Sequence, residues 1–224
     1  MELPGIKKDH KTLSERVKNY LLDSILNQQK YLPGDKITET KIAKELQVSQ
    51  APVREAIRDL KMMGFIESEP YKGSHVKQVT AKELLDLYDV RINLETLAVR
   101  RALQRITEKE IAYLKSLIDK MAKTSQKNDY VKQTELDGRF HNSIIEFSDN
   151  IILVKVWNNL GVEYWTWLGL KFLKDNHKFD FIDQVSRHQE IYSVIKDKDV
   201  EKAVLMVKKH FNEVKEMLIE IGDL

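Results

Sequence analysis

No proline occurs after Pro70, and that absence, over residues 71–224, narrows the fold more than any other feature of the chain. A helix interior excludes proline because the ring removes a backbone donor and crowds the preceding turn. The same stretch repeats apolar residues three and four positions apart, the period of a helix with one buried face. From Thr80 onward the pattern predicts six helices, at about 81–104, 107–126, 128–148, 151–175, 178–197 and 199–221. Thr107 with Glu110 forms a capping box, and Asp149-Asn150 and Lys196-Asp197-Lys198-Asp199 are natural breaks. Short polar links between helices of similar length imply antiparallel neighbours in an all-helical bundle.

The prolines Pro33, Pro52 and Pro70 fall in a first part of different character, which divides the chain into expected domains 1–78 and 79–224. Residues 1–77 hold 14 Lys+Arg against 11 Asp+Glu, and residues 78–224 hold 23 against 24. The smaller part is thus the basic one, the sign expected where a chain meets a polyanion. There are no cysteines, so disulfides, thiolate nucleophiles and Cys-ligated metals are excluded, and any metal site is built from His, Asp and Glu. No apolar run approaches a membrane span and the N-terminus lacks an apolar leader, so a cytoplasmic protein without membrane attachment is expected.

In the small part, Thr12 and Glu15 cap a helix at about 13–28, with Leu13, Val17, Tyr20, Leu21 and Ile25 on one stripe. Tyr31-Leu32-Pro33-Gly34-Asp35 breaks it. A short amphipathic helix is expected over 39–46, and a third over 50–63, with Ser49 able to cap it and Pro52 tolerated in its first turn. Val53, Ala56, Ile57 and Leu60 face one way on the third helix, and Arg54, Arg58 and Lys61 another. Two β-like runs, 65–68 and 74–77, flank Pro70-Tyr71-Lys72-Gly73 as a hairpin with a basic tip. Any one cationic helix face is by itself an ordinary solvated surface. The ordered combination is that of a winged helix-turn-helix, whose third helix can enter the major groove of double-stranded DNA.

Leu32-Pro33-Gly34-Asp35, Ile42-Ala43-Lys44-Glu45-Leu46-Gln47-Val48-Ser49, Pro52-Val53-Arg54-Glu55-Ala56-Ile57-Arg58-Asp59-Leu60 and Gly64-Phe65-Ile66 resemble, in order, the DNA-binding domain of the GntR family of bacterial transcription regulators. The resemblance implies DNA contacts at Lys36, at the start of the second helix, at Ser49, Gln50 and Arg54 in the third, and at Lys72 and Gly73 in the wing, with Arg58 as an additional contact. Family members often carry a basic residue where this chain has Gln50; glutamine pairs with adenine where arginine favours guanine.

In the helical part, polar residues on otherwise apolar faces mark where a bundle gathers a ligand. Asp137 and His141 share one helix face beside Phe140, Ile144 and Ile145; His188 lies among Val185, Ile191 and Tyr192, and His210 among Val207, Phe211 and Val214. Any one such histidine is ordinarily a hydrogen-bonded core residue. Together they form a set of one carboxylate and three imidazoles suited to a divalent transition metal, with zinc favoured and nickel, manganese or iron compatible.

That spacing resembles the metal-binding effector domain (the FCD domain) of the FadR subfamily, as do Leu87-Tyr88-Asp89-Val90-Arg91-Ile92-Asn93-Leu94-Glu95 and Asp137-Gly138-Arg139-Phe140-His141. With six helices expected rather than seven, the chain is similar to the VanR-type branch. The resemblance implies a mainly α protein, with an N-terminal winged helix-turn-helix and a C-terminal antiparallel bundle of about six helices. It also implies a homodimer on a palindromic operator, acting as a metabolite-responsive regulator, more often a repressor in this family, and a small carboxylate effector near the metal. Arg91 is the candidate to grip the effector's far carboxylate, with pairing to Glu95 one turn on as the alternative. Tyr164, Trp165, Trp167 and Phe172 form an aromatic cluster, read as core or dimer packing, with a pocket wall as the alternative. A metal-dependent enzyme using the same site needs a positioned general base, which the sequence does not place. A purely structural metal is the third reading.

Overall fold

The computed structural model describes residues 12–222 except 27, 29, 70–72, 128 and 177–179, and only the backbone of Leu26, Tyr130, Val131, Glu163, Tyr164, Asp175, Phe181 and Gly222. The chain splits into two compact units, Met1–Gln78 and Val79–Leu224.

The first unit runs α1 (Leu13–Leu26), β1 (Lys36–Ile37), α2 (Glu39–Leu46), α3 (Gln50–Met62), β2 (Ile66–Glu69) and β3 (Gly73–Val76). Thr12 opens α1 with the expected reciprocal bonds to Glu15. Helices α1 and α2 both pack on α3, and Val17, Leu21, Ile25, Ile42, Val53, Ile57 and Leu60 close their shared core. Between α2 and α3 the chain turns at Gln47, whose φ of 54° puts it in the left-handed region. The hairpin of β2 and β3 gains a third strand: β1 lies antiparallel to β3, in the sheet order β1-β3-β2. A two-residue strand has no periodicity to read, so only its pairing partner reveals it.

The second unit is helical: α4 (Ala81–Ala102), α5 (Glu108–Ser125), α6 (Tyr130–Phe147), α7 (Ile151–Leu160), α8 (Val162–Asp175), α9 (Phe181–Lys196) and α10 (Val200–Gly222). Both Thr80 with Glu83 and Thr107 with Glu110 form complete capping boxes, at the starts of α4 and α5. One boundary departs from the sequence reading. The helix expected over 151–175 is two, divided at Gly161, whose φ of 61° ends α7 in a left-handed turn before α8 begins. Among the described residues the bundle therefore has seven helical segments rather than six, and the branch placement drawn from the count loses that support. Helix α4 packs on α6 and α10, α5 on α6 and α9, and α9 on α10, so α4, α6, α9 and α10 surround the buried polar residues of the unit. Among the described residues no helix is long and apolar enough to cross a membrane.

Candidate DNA-reading face and histidine centre

On α3 the apolar positions are buried while Gln50, Arg54 and Arg58 are exposed. Arg54 Nε donates to Glu39 Oε2 at 3.0 Å, an exposed pairing between α3 and the first turn of α2. Ser49 occupies the N-cap of α3, but its hydroxyl makes no capping bond and remains outward. Lys36 is not at the start of α2, as the sequence reading has it. It lies in β1, opposite His75 of β3, where the sheet rather than a helix sets its direction. A Cβ built on Gly73 would stand 3.6 Å from Lys36 Cε, so the lysine stem runs alongside the first residue of β3. With φ at +85°, Gly73 holds a turn conformation that costs other residues strain. Lys72 lies outside the described residues.

The structure brings His141 of α6, His188 of α9 and His210 of α10 together. Their ring centroids are 4.9–5.2 Å apart, and one nitrogen of each lies within 4.8 Å of the others. All three rings are buried. His141 Nδ1 meets Glu95 Oε2 at 2.5 Å, and His188 Nδ1 meets the Gln184 carbonyl at 2.8 Å. A carboxylate and a carbonyl only accept, so both Nδ1 atoms carry a proton and Nε2 is the nitrogen left for a metal. Those two Nε2 atoms, and Nδ1 of His210, have no hydrogen-bond partner. Buried polar atoms left in this way are exceptional in a folded protein. Imidazoles oriented through one nitrogen, with the other free and converging, are what a metal ion requires.

Asp137, one turn before His141, stands outside the triangle of nitrogens. Its Oδ1 is 3.2 Å from His188 Nε2 and accepts from Gln184 Nε2 at 2.7 Å. Burial by itself would push the Asp137 carboxyl up. The nearby His188 ring first, then His141 and Arg91, act against this and hold it far below the usual carboxylate range. For His210, burial and then the neighbouring His188 and His141 push the pKa well below the usual 6.5, which favours the neutral, ligating form.

Arg91 takes the partner the sequence offered as its alternative. Its Nε and Nη2 lie 3.0 and 2.9 Å from Glu95 Oε1, its Nη1 donates to Thr166 Oγ1 at 3.0 Å, and its guanidinium carbon sits 4.6 Å from the centroid of the Phe211 ring. Glu95 thus holds Arg91 with one oxygen and His141 with the other. The sequence reading missed Glu95 and Gln184 as centre residues, and Arg187 as a wall of the adjoining cavity. The spacing Arg91 to Glu95, and Gln184 to His188, each one helical turn, is the signal that was there to use. Beside the histidines lies a cavity of about 20 Å³, walled among others by Tyr88, Arg91, Asp137, His210 and Arg187. That is room for one water-sized occupant. Trp165 and Phe172 pack against the core and Trp167 is buried; none of the three lines the cavity, and the side chain of Tyr164 is not described.

Both units match known protein families. The family model "Bacterial regulatory proteins, gntR family" matches residues 13–76, and the FCD domain model matches residues 86–213. The chain belongs to the GntR family and carries an FCD domain. This GntR protein is 28% identical over 194 residues to the Nta operon transcriptional regulator of Aminobacter aminovorans, covering 84% of this chain and 88% of the relative. It is 30% identical over 185 residues to the helix-turn-helix regulator YdhC of Bacillus subtilis (strain 168), covering 81% and 80%. Its fold is that of McbR/YncC of E. coli, with a TM-score of 0.74 at 23% identity over 94% of this chain and 99% of that one. The GntR protein is a transcriptional regulator, not an enzyme.

Proposed function

We propose that this regulator binds a palindromic operator as a homodimer in the cytoplasm, most simply as a repressor, and that its bundle senses a small organic acid through a divalent metal. The observation that carries the sensory half is the trio of buried imidazoles, one nitrogen of each lying within 4.8 Å of the others. His141, His188 and His210 would hold the ion, with Asp137 the adjacent carboxylate. When bound, a metal such as zinc, nickel, manganese or iron supplies a Lewis-acidic docking point for a ligand oxygen. Glu95 and the Gln184 carbonyl fix the tautomers of two of the rings, and the ionised Asp137 offsets the charge of an incoming cation.

For DNA, Gln50, Arg54 and Arg58 would reach base edges and phosphates from α3, while Lys36, Gly73 and Lys72 would approach the backbone from the wing. A homodimer is supported by an apolar face. Val90 and Leu97 of α4 and Ile151, Ile152 and Val156 of α7 are exposed, and the two helices pack together. Effector and operator communicate only if the effector's affinity differs between two arrangements of the dimer. A purely structural metal is the second reading, and the small cavity favours it.

Elemental analysis of untagged protein purified without chelator, beside His188→Ala, tests the centre. About one metal per chain in the parent and much less in the variant supports it; a parent that refuses zinc, nickel and manganese refutes it. Operator duplexes selected from random sequence then separate the two readings. Release by an acid only in the metal-loaded protein supports sensing, and indifference to every acid supports a structural ion.

A further inference from the structure

Two arginines wall the cavity beside the histidines, and they differ in what they have left to offer. Arg91 is held by Glu95, Thr166 and the Phe211 ring, its Nη2 lying 2.9 Å from Glu95 Oε1 without a hydrogen bond, and freeing it would also strip Glu95 from its role at His141. Arg187, the residue before His188, is nine-tenths buried, yet its Nε has no hydrogen-bond partner. Its Nη1 donates a long hydrogen bond to Asp183 Oδ2 at 3.3 Å, and its Nε stands 4.0 Å from Glu213 Oε2. A ligand oxygen can take the place of Asp183, whose carboxylate is two-thirds exposed and returns to water when released.

The cavity holds one water-sized body, so the carbon skeleton of any effector must lie elsewhere. A groove of about 370 Å³ runs between α9 and α10, and Arg187 is the one described residue that lines both spaces. Metabolite sites begin at about this size. The groove walls carry Asp183 and Glu190 from α9 and Glu213, Glu216 and Glu220 from α10, while Lys209 pairs with Glu190 and Glu213. A simple anion brought to Arg187 meets Asp183 and Glu213 beside it, and like charges at that range oppose binding. A ligand with an ammonium group turns the same two carboxylates into partners.

We propose that the α9–α10 groove seats the effector, that Arg187 docks its carboxylate, and that Asp183 and Glu213 select a ligand that also carries an ammonium group. This deepens the sensory reading above and rests on it. Arg91 becomes a positioning residue that orders Glu95 and through it His141.

The test uses the full-length protein loaded with Co²⁺, whose visible absorption reports the metal, titrated calorimetrically with matched pairs: L-alanine and propionate, L-aspartate and succinate, L-glutamate and glutarate, glucosaminate and gluconate. The amine-bearing member of at least one pair should bind about tenfold or more tightly than its partner. Arg187→Gln should weaken that binding about tenfold or more, Arg187→Lys should restore only part of it, and both variants should keep the parent's Co²⁺ affinity and melting temperature. Undiminished binding by Arg187→Gln, or equal binding within every pair, overturns this inference and leaves the sensory reading standing. Failure of all eight compounds to bind the Co²⁺-loaded parent overturns the sensory reading, and this inference falls with it.

Discussion

Glu95 of α4 accepts the Nδ1 proton of His141, 46 residues further on in α6, and so joins the buried Arg91 to the histidine centre. Exchanging Glu95 for Gln leaves an acceptor for His141 but removes the charge that Arg91 needs. Because outer partners of this kind tune ligand basicity and orientation, Glu95→Gln should bind metal about 10–100-fold more weakly. It should also lose about 3–5 kcal/mol of stability, the usual cost of leaving one buried charge unpaired. Chelator competition and denaturant melts measure the two effects, and unchanged metal affinity would mean that Glu95 serves Arg91 alone.

Arg54→Ala should weaken operator binding by roughly 1–3 kcal/mol, as expected for the loss of one base-reading guanidinium. Its exposed pairing with Glu39 contributes little to folding, so the melting temperature should barely move. Fluorescence anisotropy at fixed salt checks the first statement and calorimetry the second. Equal affinities for parent and variant would remove Arg54 from the interface.

Acid should destabilise the metal-free protein. His210 titrates well below 6.5 when folded, because of burial and its neighbouring imidazoles, and near 6.5 when unfolded. Between those values the unfolded chain binds the extra proton, so stability is lost as pH falls through that window and is fully present above it. Urea midpoints should hold steady above about pH 7 and decline toward pH 5, with a shallower decline in His210→Gln. Parallel profiles for parent and variant would assign the acid sensitivity to other groups.

Gly161→Ala should cost about 1–2 kcal/mol, since an L side chain pays that much in the left-handed region. The break between α7 and α8 depends on this φ of 61°. Urea denaturation tests it; a neutral substitution would show that the turn can relax.

If the proposed homodimer uses this exposed apolar face, Leu97→Glu combined with Ile152→Glu should convert it to monomer in light scattering after gel filtration, because two carboxylates would then face an apolar surface. A dimer that survives both changes lies on another face.

The elements were legible in the sequence to the extent that their signals are local. Capping at Thr12 and Thr107, the two faces of α3 and the apolar period of the bundle helices depend on residues within a turn or two of each other, and the structure has them. Three features were not local. β1 exists only because Lys36 and Ile37 meet β3, some forty positions away. Gly161 was an unremarked glycine in an apolar run until its positive φ split the helix. Glu95 looked like half of an ordinary surface pair with Arg91, since nothing in one helix tells which partner waits across the core.

Residue type and spacing alone determined that this chain is helical from Thr80 onward, that a basic-faced third helix precedes a wing, and that Asp137, His141, His188 and His210 are polar residues on apolar faces. Helix period and hydrophobic burial require no more than the order of residues. Tertiary packing decided the rest: that three imidazoles converge with free nitrogens while Asp137 stays beside His188. It also decided that Arg91 is tied to Glu95 and Thr166 inside the bundle while Arg187 faces Asp183 and Glu213. Those outcomes turn on angles and distances between helices, which no single helix encodes.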